Sequence, residues 1–158
     1  MLAFFVSSSL VSNKTTRNHR QVLANGGVAA LAALAGSWIT FAGALAAATA
    51  DTWASEIGRH SRTPPRLITN GTPVPAGTDG GMTLLGTAAG IAGAGLIAAL
   101  SYMLGQRGAA TIAVAGVLGM MVDSILGATA QGKVPWMDND AVNLVATLTG
   151  AAFAGLLA

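Results

Sequence analysis

The sequence predicts an all-α integral membrane protein, a polytopic bundle of about four tightly packed transmembrane helices rich in alanine and glycine. Of its 158 residues, 53% are hydrophobic and 9% are charged, and the mean hydropathy is +0.61. That is too apolar for an ordinary soluble domain of this size. Every lysine and arginine lies outside the long uncharged stretches, several of which approach the roughly 20 residues that cross a bilayer.

The first segment, residues 1–12, is apolar but too short to span a bilayer. It also lacks the positive flank and the small-residue cleavage site of a secretory signal. We expect it to be either the remnant of a helix whose beginning is missing or a short interfacial helix. The whole chain, residues 1–158, is interpreted as a single membrane domain.

Four transmembrane helices are predicted, over residues 22–50, 82–106, 108–128 and 140–158. Each follows from an uncharged or nearly uncharged run, and the last is marginal in length. In the second predicted helix, Gly86, Gly90 and Ala94 recur every four residues, a spacing that lets membrane helices approach closely. The helices are therefore expected to pack tightly.

The acidic residues mark the expected functional site. All six lie at the ends of apolar stretches or in the connections between them, at Asp51, Glu56, Asp79, Asp123, Asp138 and Asp140. A carboxylate at membrane depth is costly, so it usually faces the protein interior and marks an ion or substrate site. Asp51, Asp123 and Asp140 each share a helix face with small residues, so three helices offer an acid on a cleared face.

Three such acids are the residue type that binds a divalent cation. Mg²⁺ takes oxygen ligands, usually one or two carboxylates with water and substrate phosphate. The metal ligands predicted in this way are Asp51, Asp123 and Asp140, with Asn143 as a neutral oxygen donor. The alternative is that some of these acids only cap helices or pair with Arg59 or Lys133.

The connection over residues 59–81 is predicted to be a functional loop, rich in arginine, glycine and proline. A glycine-rich loop that leads into a helix N-terminus offers backbone N–H groups and a positive dipole end to an anion. The sequence lacks the Lys-Ser/Thr pair of a Walker A loop. The alternative is a plain membrane-surface turn. The phosphate- and nucleotide-binding residues predicted in this way are Arg59, Arg66, Gly80 and Gly81.

Orientation does not follow from the charges of a four-helix arrangement, because four of the eight cations fall on each side. If the 59–81 loop handles a nucleotide, it faces the cytoplasm. The cations are loop charges and do not form a nucleic-acid surface. The absence of cysteine excludes thiolate metal sites and cysteine nucleophiles.

Five ordered segments resemble the transmembrane protein 19 family, also known as domain of unknown function 92, which includes plant phytyl-phosphate kinase. Members of that family usually carry further membrane helices before this point, so the resemblance implies a partial version of a larger fold. The segments are RQVLANGG (20–27), ATADTWASEIG (48–58), PRLITNGTPVPAGTDGGMTLLGT (65–87), VDSILGATAQ (122–131) and DNDAVNLVATLTGA (138–151).

The resemblance implies a kinase that adds a phosphate to an isoprenoid monophosphate in the bilayer. A nucleoside triphosphate, possibly CTP, would be the donor, with Mg²⁺ as cofactor, and an oligomer is compatible with this role. Asp51, Asp123, Asp140 and Asn143 are the expected catalytic residues. The alternatives are a cation- or proton-coupled transporter, which also needs intramembrane acids, and a structural membrane protein without catalysis. The resemblance also implies Glu56 as a further metal ligand, and Gly77 and Thr78 as further nucleotide-binding residues. The motif residues that it carries over are Asp51, Glu56, Arg66, Gly77, Thr78, Gly80, Asp123, Gln131, Asp140 and Asn143.

Overall fold

The computed structural model describes residues 19–158, and these residues form five helices and one two-stranded antiparallel sheet. The predicted remnant or interfacial helix over residues 1–12 lies outside the described residues. By length and composition, two of the described helices, α3 and α4, are long and apolar enough to cross a membrane. The elements are α1 (His19–Leu34), α2 (Trp38–Gly58), β1 (Arg66–Leu67), β2 (Gly81–Met82), α3 (Leu84–Met103), α4 (Ala109–Thr129) and α5 (Asn139–Leu156).

The single helix predicted over residues 22–50 is wrong, because the chain turns back at Gly36. This glycine has a φ of 72°, its N–H donates to Ala33 O, and the N–H of Ser37 donates to Ala32 O. These paired bonds form the Schellman motif that ends many helices. Ser37 is also the N-cap residue of α2. An uncharged run therefore contains a helical hairpin instead of one long helix.

The other predicted helices correspond to α3, α4 and α5, whose bounds lie within a few residues of 82–106, 108–128 and 140–158. Helix α2 lies at the centre of the bundle and packs against α1, α3, α4 and α5. The outer helices also contact one another in the order α1, α5, α4, α3. Residues 42–50 of α2 are all buried, and most of them are alanine.

Glycines allow this close packing, as their spacing predicted. A Cβ on Gly43 of α2 would lie 2.5 Å from the carbonyl oxygen of Gly150 on α5. A Cβ on Gly86 of α3 would lie 2.6 Å from the carbonyl oxygen of Ala54 on α2. The backbones of neighbouring helices therefore approach to distances that leave no room for a methyl group.

The hairpin places the helix ends that bear polar residues on one side of the bundle. Helices α1, α3 and α5 begin at this end, α2 and α4 finish there, and the two short strands close the connection between α2 and α3. An ion pair of 3.3 Å between Arg20 and Asp138 joins the starts of α1 and α5. We call this side the polar end.

Candidate functional site

A cavity of about 380 Å³ lies at the polar end, and its lining comes from all five helices and from the 59–81 connection. Helix α1 contributes Gln21 and Asn25, and helix α5 contributes Asn139 and Asn143. The ends of α2 and α4 and the start of α3 supply much of the rest. One site thus gathers side chains that are far apart in the sequence.

The central pair of this cavity is Asp51 on α2 and Asp123 on α4. Their carboxyl groups lie within hydrogen-bonding reach of each other. The Oδ2 atom of Asp123 is buried, and it has no hydrogen-bond partner among the described residues. Both acids were predicted to face the interior because each shares a helix face with small residues. The structure places both at the same cavity.

Glu56 also lines the cavity, but it is part of an ion pair. Its Oε2 atom lies 3.1 Å from Nη1 of Arg59, one helical turn further along the chain. Glu56 is buried, whereas the Arg59 side chain is 44% exposed. The pair matches the alternative in which an acid is neutralised by Arg59, and it leaves Glu56 less available as a metal ligand.

Asp140 does not join the acid pair, so the predicted gathering of three acids is wrong. Its Oδ2 atom lies 3.7 Å from Nε of Arg20, and Asp140 is outside the cavity lining. Asn143, one helical turn further on, does line the cavity. Within residues 19–158, no three Asp, Glu or His side chains are arranged to hold a metal ion together.

Arg66 is the second predicted residue that the structure places elsewhere. It lies on β1, and its Nη1 atom donates a 2.8 Å hydrogen bond to the carbonyl oxygen of Gly71 in the same connection. Arg66 is exposed and does not line the cavity. The hydrogen bond from Arg66 to Gly71 therefore stabilises the turn that follows β1.

The predicted cradle residues Gly77, Thr78, Gly80 and Gly81 all line the cavity. The N–H of Thr78 donates to Pro75 O at 3.2 Å, and the N–H of Gly81 donates to Thr78 O at 3.0 Å. These bonds close two consecutive turns, each with a positive-φ glycine in its third position, as type II turns require. Because these two N–H groups are already used, they are not free to hold a phosphate.

Sequence reasoning missed several cavity residues. Asp79 was noted only as one of six acids, and hydroxyl groups on three helix ends received no role. Two of these hydroxyl residues could have been found from their spacing to the acids, since Ser55 lies one helical turn after Asp51 and Ser124 directly follows Asp123. Gln131, which the family motif indicated, is also in the lining. The overlooked polar lining residues are Gln21, Asn25, Thr52, Ser55, Asp79, Thr83, Thr87, Ser124 and Asn139.

The cavity carries an excess of negative charge. Its lining holds four acids, Asp51, Glu56, Asp79 and Asp123, and one basic residue, Arg59. The C-terminal ends of α2 and α4 point into the same region and add their negative dipole ends. The N-terminal ends of α3 and α5 act in the opposite direction, because Thr83 and Asn139 lie at the cavity.

The residues of the acid pair fit a hydrated divalent cation. Mg²⁺ is usually held by one or two carboxylates, while water and substrate oxygens complete its shell. Asp51 and Asp123 supply two carboxylates on separate helices, and the unpartnered Oδ2 atom of Asp123 is an oxygen that lacks its own donor. A four-acid shell is not required for this fit.

Comparison with known proteins extends over nearly the whole chain. The family model described as integral membrane protein DUF92 matches residues 1–151. The uncharacterized membrane protein MJ0933 of Methanocaldococcus jannaschii is 38% identical over a region that covers 95% of this chain and 71% of that protein. No solved structure matches the chain at a significant level.

Two proteins of Arabidopsis thaliana are similar over a shorter region. Protein VTE6, chloroplastic, is 36% identical over 68% of this chain, and Protein PGR is 38% identical over 56% of it. The matched regions make up 34% and 36% of those two proteins. The chain thus spans about a third of the length of each plant relative.

Proposed function

We propose that this chain, which belongs to the DUF92 family of integral membrane proteins, is an isoprenoid monophosphate kinase that uses a nucleoside triphosphate. One observation carries the proposal: a single cavity combines a half-buried acid pair, a glycine-rich loop and two helix N-termini at one end of an apolar bundle. Phosphoryl transfer depends mainly on positioning and on neutralising charge, and these are the parts it uses. The resemblance to a family that includes plant phytyl-phosphate kinase supports the same chemistry.

The bundle dimensions are compatible with a bilayer position. Helices α2 to α5 contain 18 to 21 residues each, which corresponds to about 27 to 32 Å at about 1.5 Å per residue. The hydrocarbon core is about 30 Å thick. We therefore place these four helices across the membrane, with the shorter α1 folded back against α2 and α5. A prenyl chain would lie in the lipid beside the bundle while its phosphate enters the polar end.

We further propose that the polar end faces the cytoplasm. The helical hairpin moves Arg20 to the same side as the 59–81 loop. Of the basic residues within 19–158, five then lie at the polar end, and Arg107 lies at the opposite end between α3 and α4. Such an imbalance near helix ends places the basic side in the cytoplasm. Nucleoside triphosphates are available there. The five basic residues are Arg20, Arg59, Arg62, Arg66 and Lys133.

Within the proposed site, Asp51 and Asp123 would hold a Mg²⁺ ion, which, when bound, neutralises charge on the transferred phosphoryl group. Arg59 lies at the cavity and would contact phosphate oxygens from the exposed part of its side chain. The N-terminus of α5, with Asn139 and Asn143, would orient the acceptor phosphate. The residues 77–81 would cover the donor.

A transfer assay tests this function. Purified protein in detergent is incubated with γ-labelled CTP, UTP, GTP or ATP and a series of prenyl monophosphates, and label in the lipid diphosphate is counted. The expected result is Mg²⁺-dependent transfer from at least one nucleotide. No transfer to any prenyl monophosphate with any of the four nucleotides would refute the kinase proposal.

A cation- or proton-coupled transporter is the second candidate, and the excess of acids over basic residues in the cavity favours it. A kinase must bind anions in this acidic cavity, whereas a transporter would bind cations there directly. Flux of a cation into liposomes that contain the protein, in the absence of lipid phosphorylation, would favour the transporter. The same flux must be lost in Asp123→Asn.

A further inference from the structure

Asp79 is an exposed acid in the 59–81 loop, and it lines the same cavity as the acid pair. Its neighbour Gly80 packs against the last turns of α4. A Cβ on Gly80 would lie 2.5 Å from Ala128 N and 2.6 Å from Ser124 O. In the other direction, a Cβ on Gly127 would lie 2.9 Å from Gly80 N. This mutual contact leaves the loop little freedom to move relative to α4.

The contact also determines where Asp79 lies. A Cβ on Gly127 would lie 3.4 Å from the carbonyl carbon of Asp79. Gly127 is one helical turn after Asp123, on the same face of α4. Asp79 and Asp123 line the same cavity, so their charges interact there. Within residues 19–158, Asp79 is not part of a group of three acids that could hold a metal ion together.

Three carboxyl groups around one cavity favour a cation over a free phosphate. Arg59, the basic residue of the lining, is paired with Glu56, so it does not offset the charge of the other three acids. A triphosphate that enters without metal would therefore meet uncompensated carboxylates. The unpartnered Oδ2 atom of Asp123 in the same cavity is an available ligand for a cation.

We infer that the cavity binds a divalent cation at Asp51 and Asp123 before any phosphate ligand enters, and that Asp79, held in place by the Gly80–Gly127 contact, is a positioning residue that strengthens this binding. The inference rests on the proposed function, because it specifies the order in which that site is filled. It assigns roles to Asp79 and Gly127 that the catalytic chemistry alone does not require.

The test is a titration of the purified protein with Mn²⁺, without nucleotide or lipid, in which free Mn²⁺ is measured by electron paramagnetic resonance. The parent should bind one Mn²⁺ per chain, and Asp123→Asn should lose this binding. Asp79→Asn should weaken it about three- to tenfold at low salt, and the difference should shrink at high salt because the effect is electrostatic. Asp138→Asn is the matched control, since asparagine replaces aspartate well at an N-cap.

A second pair of variants tests how Asp79 is held. Gly127→Ala should displace the loop and weaken Mn²⁺ binding to the same extent as Asp79→Asn. Gly95→Ala should bind as the parent does, because nothing lies within 4 Å of a Cβ at this position on α3. A melting temperature for each variant separates loss of the site from loss of the fold.

The outcomes distinguish this inference from the proposed function. Mn²⁺ binding that depends on Asp79, in a protein without transfer activity, would leave the inference standing and refute the kinase. Transfer activity in a protein that binds no Mn²⁺ without nucleotide would support the kinase and refute the inference. Parent-like binding in Asp79→Asn would overturn the role of Asp79.

Discussion

The carboxyl group of Asp51 on α2 lies within hydrogen-bonding reach of the carboxyl group of Asp123 on α4, inside the bundle. Two acids in this position do not stabilise the fold, because burial of each carboxylate is costly and neither forms an ion pair with a basic side chain within residues 19–158. Both acids line a cavity of about 380 Å³ together with polar residues from all five helices. A functional role explains this arrangement better than a structural one.

The first prediction is that Asp123→Asn separates activity from stability. A metal ligand tolerates neither loss of charge nor longer reach, so the transfer rate should fall by several orders of magnitude, and Asp123→Glu should be nearly as impaired. Removal of the charge also relieves a burial cost of roughly 2 to 3 kcal/mol on insertion scales. The melting temperature in detergent should therefore equal or exceed that of the parent.

Asp138→Asn serves as the control for this experiment, because Asp138 lies at the same end of the bundle but outside the cavity lining. It should keep the transfer rate of the parent. If Asp123→Asn instead misfolds, and its remaining folded molecules transfer phosphate at a normal rate, Asp123 is a packing residue and the site is elsewhere.

The second prediction concerns the contact between the loop and α4. Gly80→Ala combines a positive φ of 73° with a methyl group that has no room beside Ala128. Gly71→Ala is its matched control, with a φ of 71° and nothing within 4 Å of the added Cβ. Both variants should lose roughly 1 to 2 kcal/mol from backbone strain. Only Gly80→Ala should lose most of the transfer activity, measured with saturating Mg²⁺ and nucleotide.

Equal transfer rates in the two glycine variants would contradict a positioned loop, since they differ mainly in the contact with α4. Cleavage by trypsin gives a second readout, because Arg62 lies in the same connection and is exposed. The loop of Gly80→Ala should be cut faster than the loop of Gly71→Ala.

Composition was enough to predict a helical bundle of the membrane-protein class, and the spacing of small residues was enough to predict its tight packing. The turn at Gly36 was missed because an uncharged run was taken as one helix. The signal was present: a glycine directly followed by serine combines a helix-ending residue with an N-cap. That turn reverses one helix and thereby moves Arg20 to the other side of the bundle.

The site residues were predictable where small residues on the same helix face indicated an interior position. Asp51 and Asp123 share their faces with small residues, and both were placed correctly in the interior. Asp140 has similar neighbours in sequence, but its partner Arg20 is 120 positions away and reaches it only because α1 folds back. Asp79 was overlooked for a related reason, since its contact with Gly127 depends on how the loop packs.

The third prediction tests membrane orientation, and the absence of cysteine in the sequence makes it direct. Thr69→Cys places a thiol in the exposed part of the 59–81 loop, and Ala35→Cys places one in the exposed turn between α1 and α2. A membrane-impermeant maleimide applied to intact cells should label Ala35→Cys, and it should label Thr69→Cys only after permeabilisation. Because the two sites lie at opposite ends of the bundle, the reversed pattern would place the cavity outside the cell.

The last prediction concerns the backbone contact between α2 and α5. Gly43→Ala adds a methyl group 2.5 Å from the carbonyl oxygen of Gly150, and backbone on both sides cannot rotate away as a side chain can. Overpacking of this kind costs about 1 to 3 kcal/mol. Gly95→Ala, on α3, meets nothing within 4 Å and should gain up to about 1 kcal/mol because alanine restricts the unfolded chain. Thermal unfolding in one detergent should therefore shift in opposite directions for the two variants. If Gly43→Ala is as stable as the parent, α2 and α5 lie further apart than this 2.5 Å distance implies.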